Sequence, residues 1–221
     1  MQASQWLGLD ERHLTAVDDR HFLHPETKQA WLSMVQAAAD DGLQLDLVSS
    51  YRSFARQQLI WDGKFSGQRP VLDDQNRIIE LNKLSDWQKI QAIMRFSALP
   101  GTSRHHWGSD LDLFSKPLQG NTPLQLVASE YQAGGPQWPL YQWLIANAHR
   151  FDFFFPYAKD LGGVACEPWH LSHLPVANKV EQVRKPERII AAIQQANVLG
   201  QECIQENFDT LYHRFISPIS R

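Results

Sequence analysis

Residues 102–113 read TSRHHWGSDLDL, two adjacent histidines and two aspartates one residue apart, with Gly108 between the pairs. This short run constrains the fold more than any other feature, because it collects four potential metal ligands that cannot all share one task. A catalytic zinc ion usually takes three protein ligands and leaves a fourth position for water. His105, His106, Asp110 and Asp112 are the local candidates, and a further ligand has to come from elsewhere in the chain. The best source is EPWH, where Glu167 stands three residues before His170. A glutamate beside a ligand histidine also supplies the base that an activated water needs. Successive residues of a strand face opposite ways, so His105 and His106 do not easily reach the same ion. Asp110 and Asp112 share a face, and alternation does not choose between them. His105 and Asp112 differ in parity, and Gly108 offers the turn or bulge that would reunite them.

The 221 residues are enough to bury a real core. With 43% hydrophobic and 20% charged residues the balance is that of a globular protein, and the eight tryptophans are expected mostly as core filler. A formal net charge of -3 gives no broad basic surface, which argues against a nucleic-acid partner. Cys166 and Cys203 form no CxxC pair, so no disulfide framework is expected. The N-terminal MQASQWLGLDERHLTAVDD lacks a basic segment followed by an apolar run, and no apolar stretch reaches membrane-spanning length. A soluble, cytoplasmic protein is the expectation. A periplasmic or exported one would follow if a leader had been removed.

A helix is predicted from Pro25, with Trp31, Val35 and Ala38 on one face and Gly42 at its end. Leu43 to about Ser49 alternates as a strand, and Ser53 is placed to cap the next helix. PVLDDQNRIIEL reads as a hairpin turning at Asp73–Asn76, and Ser85 with Gln88 forms a capping box ahead of a Trp87–Ile90–Met94 stripe. LYQWLIANAHR is helical, while FDFFFPY and GVACEPWHLSH are extended. Two helices follow Pro186, separated near Gly200. The expected fold is α+β. A single domain spans 1–221, its core about 25–175 and a C-terminal helical part about 186–217, with helices around a small antiparallel sheet that carries the zinc site. The stretch from about 63 to 97 reads as an insertion over one face.

Three motifs then carry a resemblance. SRHHWGSDLD resembles the S-x-H-x-x-G-x-A-x-D motif of the VanY-type D-alanyl-D-alanine carboxypeptidases, EPWH their E-x-W-H, and SSYRSFARQ their S-x-Y-R-S segment. These zinc metallopeptidases are related to D-Ala-D-Ala dipeptidases and some phage endolysins. The resemblance runs from about Leu43 to His173. It implies Zn2+ held by His105, Asp112 and His170, Glu167 as general base, and Arg52 as the cation that steadies substrate or oxyanion. It also implies Ser103, Gln57 and Tyr51 as substrate contacts. The implied reaction removes a C-terminal D-alanine from a peptidoglycan stem peptide by cutting a D,D- or L,D-bond. An endopeptidase with the same zinc site and a non-catalytic zinc-stabilised binding module are the alternatives. Two positions depart from the family: Asp110 stands where alanine is common, and Asp152 where glycine often is. Asp110 is a rival ligand, a partner of a ligand histidine or an outward charge, whereas the Asp152 change is expected to be local. His106 is expected to line or pack, His173 to be structural with a supporting role open to it, and His13, His21, His24, His149 and His213 to be structural. Cys166 is expected to be a small buried hydrophobe, and Tyr157 is weighed as a lining residue.

Overall fold

The computed structural model describes residues 1–220. Its centre is a four-stranded antiparallel sheet of β1 (Asp46–Ser49), β2 (Asp110–Phe114), β3 (Phe153–Phe154) and β4 (His170–His173), in the order β1-β2-β4-β3. Strand alternation gives this sheet two different faces. Leu111 and Leu113 of β2 and Leu171 of β4 point into one hydrophobic cluster with Trp31, Met34, Leu140 and Leu144. These partners come from α1 (Pro25–Asp40) and α4 (Trp138–Asn147). Asp110, Asp112, His170 and Ser172 occupy the opposite face, paired in register as Asp110 with Ser172 and Asp112 with His170.

A second cluster packs α2 (Phe54–Phe65), α3 (Asp86–Met94), α5 (Leu174–Glu181), α6 (Pro186–Gln195) and the C-terminal turns, through residues such as Trp61, Ile90, Val180 and Ile193. The polar face of the sheet therefore looks into the space beside this helical half. The local rules hold at several helix starts. Ser53 Oγ accepts from the Arg56 amide at 3.2 Å, and Ser85 with Gln88 forms the predicted capping box. Between α2 and α3 the predicted hairpin is reduced to one bridge, Leu72 with Ile78. The extended segments are shorter than predicted: only two residues of FDFFFPY and four of the last segment enter the sheet. Asp152 takes a left-handed φ of 59°, a conformation that glycine adopts freely and aspartate tolerates, so the departure there is indeed local. Cys166 and Cys203 are free, and Cys166 is exposed, not the buried hydrophobe expected.

Candidate active site

His105 and His106 do not lie on a strand. They belong to a turn of 3-10 helix, Arg104–Trp107, that precedes β2. Gly108 ends it at φ 68°, and a Cβ there would lie 2.5 Å from Leu14 Cδ2 and 2.7 Å from the His24 nitrogen. The sharp left-handed turn brings His105 to Asp112. His106 turns the other way. Its Nδ1 lies 2.6 Å from the Arg52 carbonyl, and its Nε2 accepts from the Gly101 amide at 3.0 Å. Both nitrogens are thus committed to backbone. Burial pushes its pKa down to about 3, and the ring is neutral.

His105, Asp112 and His170 each offer one ligand atom, and these atoms all lie within 4.8 Å of one another. His105 Nδ1 donates to the Ser50 carbonyl at 2.7 Å, which leaves Nε2 facing Asp112 Oδ2 at 3.3 Å. His170 Nε2 donates to Asp110 Oδ1 at 2.9 Å, which leaves Nδ1 3.5 Å from Asp112 Oδ1 and 3.0 Å from Glu167 Oε2. Asp110 therefore partners a candidate ligand histidine and stands outside the His105–Asp112–His170 group. It is fully buried and held in turn by Arg104 Nε at 3.0 Å, Ser172 Oγ at 3.1 Å and Ser109 Oγ. Arg104, also buried, extends the chain to Glu181 at 2.9 Å and stacks on Trp107 at 4.5 Å. Burial alone would lower the pKa of His170. The bonds to Asp110 and Glu167 outweigh it and raise the pKa to about 10. Burial would raise that of Asp112, but His105, His170 and Arg52 hold it down to about 2.

The cluster opens into a cleft of about 680 Å³. Arg52, Ser103, Glu167 and Tyr157 line it with the three ligand candidates. Arg52 follows β1, donates to Gln57 Oε1 at 2.9 Å and Ser49 Oγ at 3.1 Å, and stands 4.0 Å from Asp112. Gln57 is fully buried beneath it, with its amide donating to the Ala98 carbonyl at 2.7 Å, so it holds the guanidinium and does not face the cleft. Tyr51 is not brought to the cleft either: its hydroxyl donates to the Gly8 carbonyl on a separate surface pocket. These two sequence expectations for substrate contacts are corrected accordingly. Tyr157 sets its ring edge-on to His170 at 5.1 Å between centroids. Of the described histidines only His105 and His170 line the cleft, and His173 lies on the other side of β4, where Nδ1 meets Thr27 Oγ1 at 3.3 Å. Sequence reasoning missed Arg104, Ser172 and Glu181. Arg104 stood inside the recognised motif, but nothing in the pattern tied it to Asp110.

The profile of the VanY family, D-alanyl-D-alanine carboxypeptidase, matches residues 20–176. The chain belongs to the VanY family. Among its relatives is an uncharacterised protein of Haemophilus influenzae, 47% identical over 96 residues, which cover 42% of this chain and 66% of that one. A D-alanyl-D-alanine carboxypeptidase of Enterococcus faecalis is 27% identical over 146 residues, 65% of this chain and 45% of its own length. The VanY-like chain thus spans about half of that longer relative. The solved structure of VanYB in complex with D-alanine-D-alanine is 19% identical, with a TM-score of 0.55 and 87% of each chain covered, and shares the fold. The aligned family region contains every ligand candidate, and it ends within α5, so α6 and the C-terminal turns lie outside it.

Proposed function

We propose that this protein is a zinc-dependent carboxypeptidase that releases a C-terminal D-alanine from peptidoglycan stem peptides, at a D,D- or an L,D-bond. The observation that carries the reading is the convergence of His105, Asp112 and His170 beside Glu167 and Arg52 in one cleft. Membership of the VanY family supports it, and so does the D-alanine-D-alanine bound by VanYB.

The donor set fits zinc. Two imidazole nitrogens and a carboxylate oxygen are ordinary catalytic ligands, and each histidine has its other nitrogen fixed by a second acceptor. Zinc held there supplies Lewis acidity, which makes water nucleophilic near neutral pH and polarises a carbonyl. Glu167 takes the proton of the attacking water and passes it to the leaving amine, a contribution of about 10²–10⁴ in rate. Arg52 meets the charge that develops on the carbonyl oxygen, and Gln57 and Ser49 keep its fork from swinging away. Ser103 offers a hydroxyl to the peptide from the turn that carries His105. Tyr157 covers the edge of His170 and keeps that side of the ring from water.

The test is incubation of the zinc-loaded protein with stem tetra- and pentapeptides, with products identified by mass. Release of D-alanine supports the reading, and the responding peptide identifies the bond. Internal fragments from cross-linked peptides would instead make it an endopeptidase. Zinc binding with no product from any of these substrates would make it a binding module.

A further inference from the structure

Most cations of the cleft already have an anionic partner. Arg95 is bracketed by Asp74 and Asp160, Arg104 by Asp110 and Glu181, and Arg52 faces Asp112. Lys64 is different. It sits in the last turn of α2 and lines the same cleft, yet its ammonium donates to the neutral Ser97 hydroxyl at 2.7 Å and has no carboxylate within ion-pair distance among the described residues. Seven residues separate it from Gln57, about two helical turns, so the two share a face of α2 about 10 Å apart along the axis. Helical side chains lean toward the N-terminus, so the lysine stem reaches back toward Gln57 and the Arg52 it holds. Ser97 and Ala98, which receive Lys64 and Gln57, belong to one short segment leading to Ser103. The 63–97 segment builds the wall around the lysine, with Val71 and Met94 as apolar lining.

A partly buried ammonium whose one hydrogen-bond partner shown among the described residues is a hydroxyl has room for an anion. Burial and the nearby Arg52 and Arg69 outweigh the weaker opposing pull of Glu167 and hold its pKa below the ordinary lysine value, so an anion arriving here would relieve both desolvation and repulsion. In a carboxypeptidase substrate the terminal carboxylate lies about one residue, ~3.6 Å, beyond the scissile carbonyl carbon. Recognition at both points calls for two cations in one cleft. We propose that Lys64 binds the terminal carboxylate of the substrate, which leaves Arg52 free for the reacting carbonyl. The assignment rests on the carboxypeptidase reading above. It makes Lys64 the residue that distinguishes a free chain end from an internal peptide bond.

The experiment separates recognition from turnover. In zinc-loaded protein carrying Glu167→Gln, calorimetry measures binding of stem tetra- and pentapeptides as free acids and as C-terminal amides. With Lys64 in place the acid should bind about 10- to 100-fold more tightly, the worth of a hydrogen bond between charged groups. Lys64→Gln can keep the bond to Ser97 and should bring the acid to within about threefold of the amide. Lys64→Arg should restore a preference for the acid. In protein that retains Glu167, Lys64→Gln should raise KM for the acid far more than it lowers kcat. An unchanged acid preference in Lys64→Gln, in protein with an unaltered thermal midpoint, overturns the assignment and leaves the carboxypeptidase reading intact. Equal binding of acid and amide by the Lys64 protein overturns it as well. Failure of every peptide both to bind and to be cleaved overturns the two readings together.

Discussion

Replacing Asp110 by alanine, the residue common at this position in the family, should be severe in this chain. The carboxylate is fully buried and receives His170 Nε2, Arg104 Nε and two serine hydroxyls. Its removal leaves a guanidinium that is 4% exposed with Glu181 as its remaining anionic partner. Breaking a buried charge pair from one side costs about 3–5 kcal/mol, chiefly because the surviving charge stays desolvated. His170 also loses the acceptor that fixes its orientation, a loss worth about 10–100-fold in metal affinity at comparable sites. Asp110→Ala should therefore lower the urea-unfolding free energy of the metal-free protein by about 3–5 kcal/mol, and weaken zinc by one to two powers of ten in competition with a chromogenic chelator. Asp110→Asn keeps an acceptor oxygen and should fall between the two. A stability loss under about 1 kcal/mol together with zinc affinity within about threefold of the parent would refute the claim that Arg104, Asp110 and His170 form one unit.

Glu167→Gln should retain zinc and a cooperative thermal transition while losing about 10²–10⁴ in kcat, measured on the peptide that the parent cleaves. His105→Ala should lose most bound zinc on elemental analysis. His106→Ala should bind zinc but melt earlier, because it removes both backbone anchors. The metal-free protein should have a definite pH window. His170 is raised to about 10, so its contribution is full below its unfolded value near ~6.5 and is lost as pH rises through 10. Asp112 is held down to about 2, so its contribution is present above about 4 and is lost as pH falls through 2. Urea titrations should find maximal metal-free stability between about pH 4 and 6.5, and calorimetry in buffers of different ionisation heat should detect a proton released from His170 on zinc uptake at pH 7.

The site was legible in the sequence wherever chemistry and strand period coincide. Asp110 and Asp112 share a face because β2 is a regular strand, and Leu111 and Leu113 take the other face by the same rule. His105 and His106 separate although they lie on no strand, because successive side chains of a 3-10 turn diverge by about 120°. Which role Asp110 plays could not be read, since it depends on Arg104 and on Ser172 from a strand some sixty residues away. Tyr51 and Gln57 show the opposite failing. They sit in a recognised motif, but the turn into α2 sends one outward and buries the other. Lys64 escaped because one lysine in a helix carries no pattern, and only the folded wall around it shows that it faces the cleft.

The double anchoring of His106 has a consequence for how this enzyme class can diversify. The ring ties the carbonyl of Arg52 to the amide of Gly101, and the amide of Arg52 in turn donates to the carbonyl of His105 at 3.1 Å. Main-chain bonds thus fix the spacing between the backbones of Arg52 and His105, while Gln57, anchored on the Ala98 carbonyl, sets the guanidinium. Other walls of the cleft come from parts of the chain outside this bonded turn, including residues 70–76 and 125–129. Substitutions there should change the shape of the cleft mouth while leaving the Arg52–His105 spacing in place. On this layout the outer walls and the bonded turn that spaces Arg52 from His105 are distinct mechanical parts.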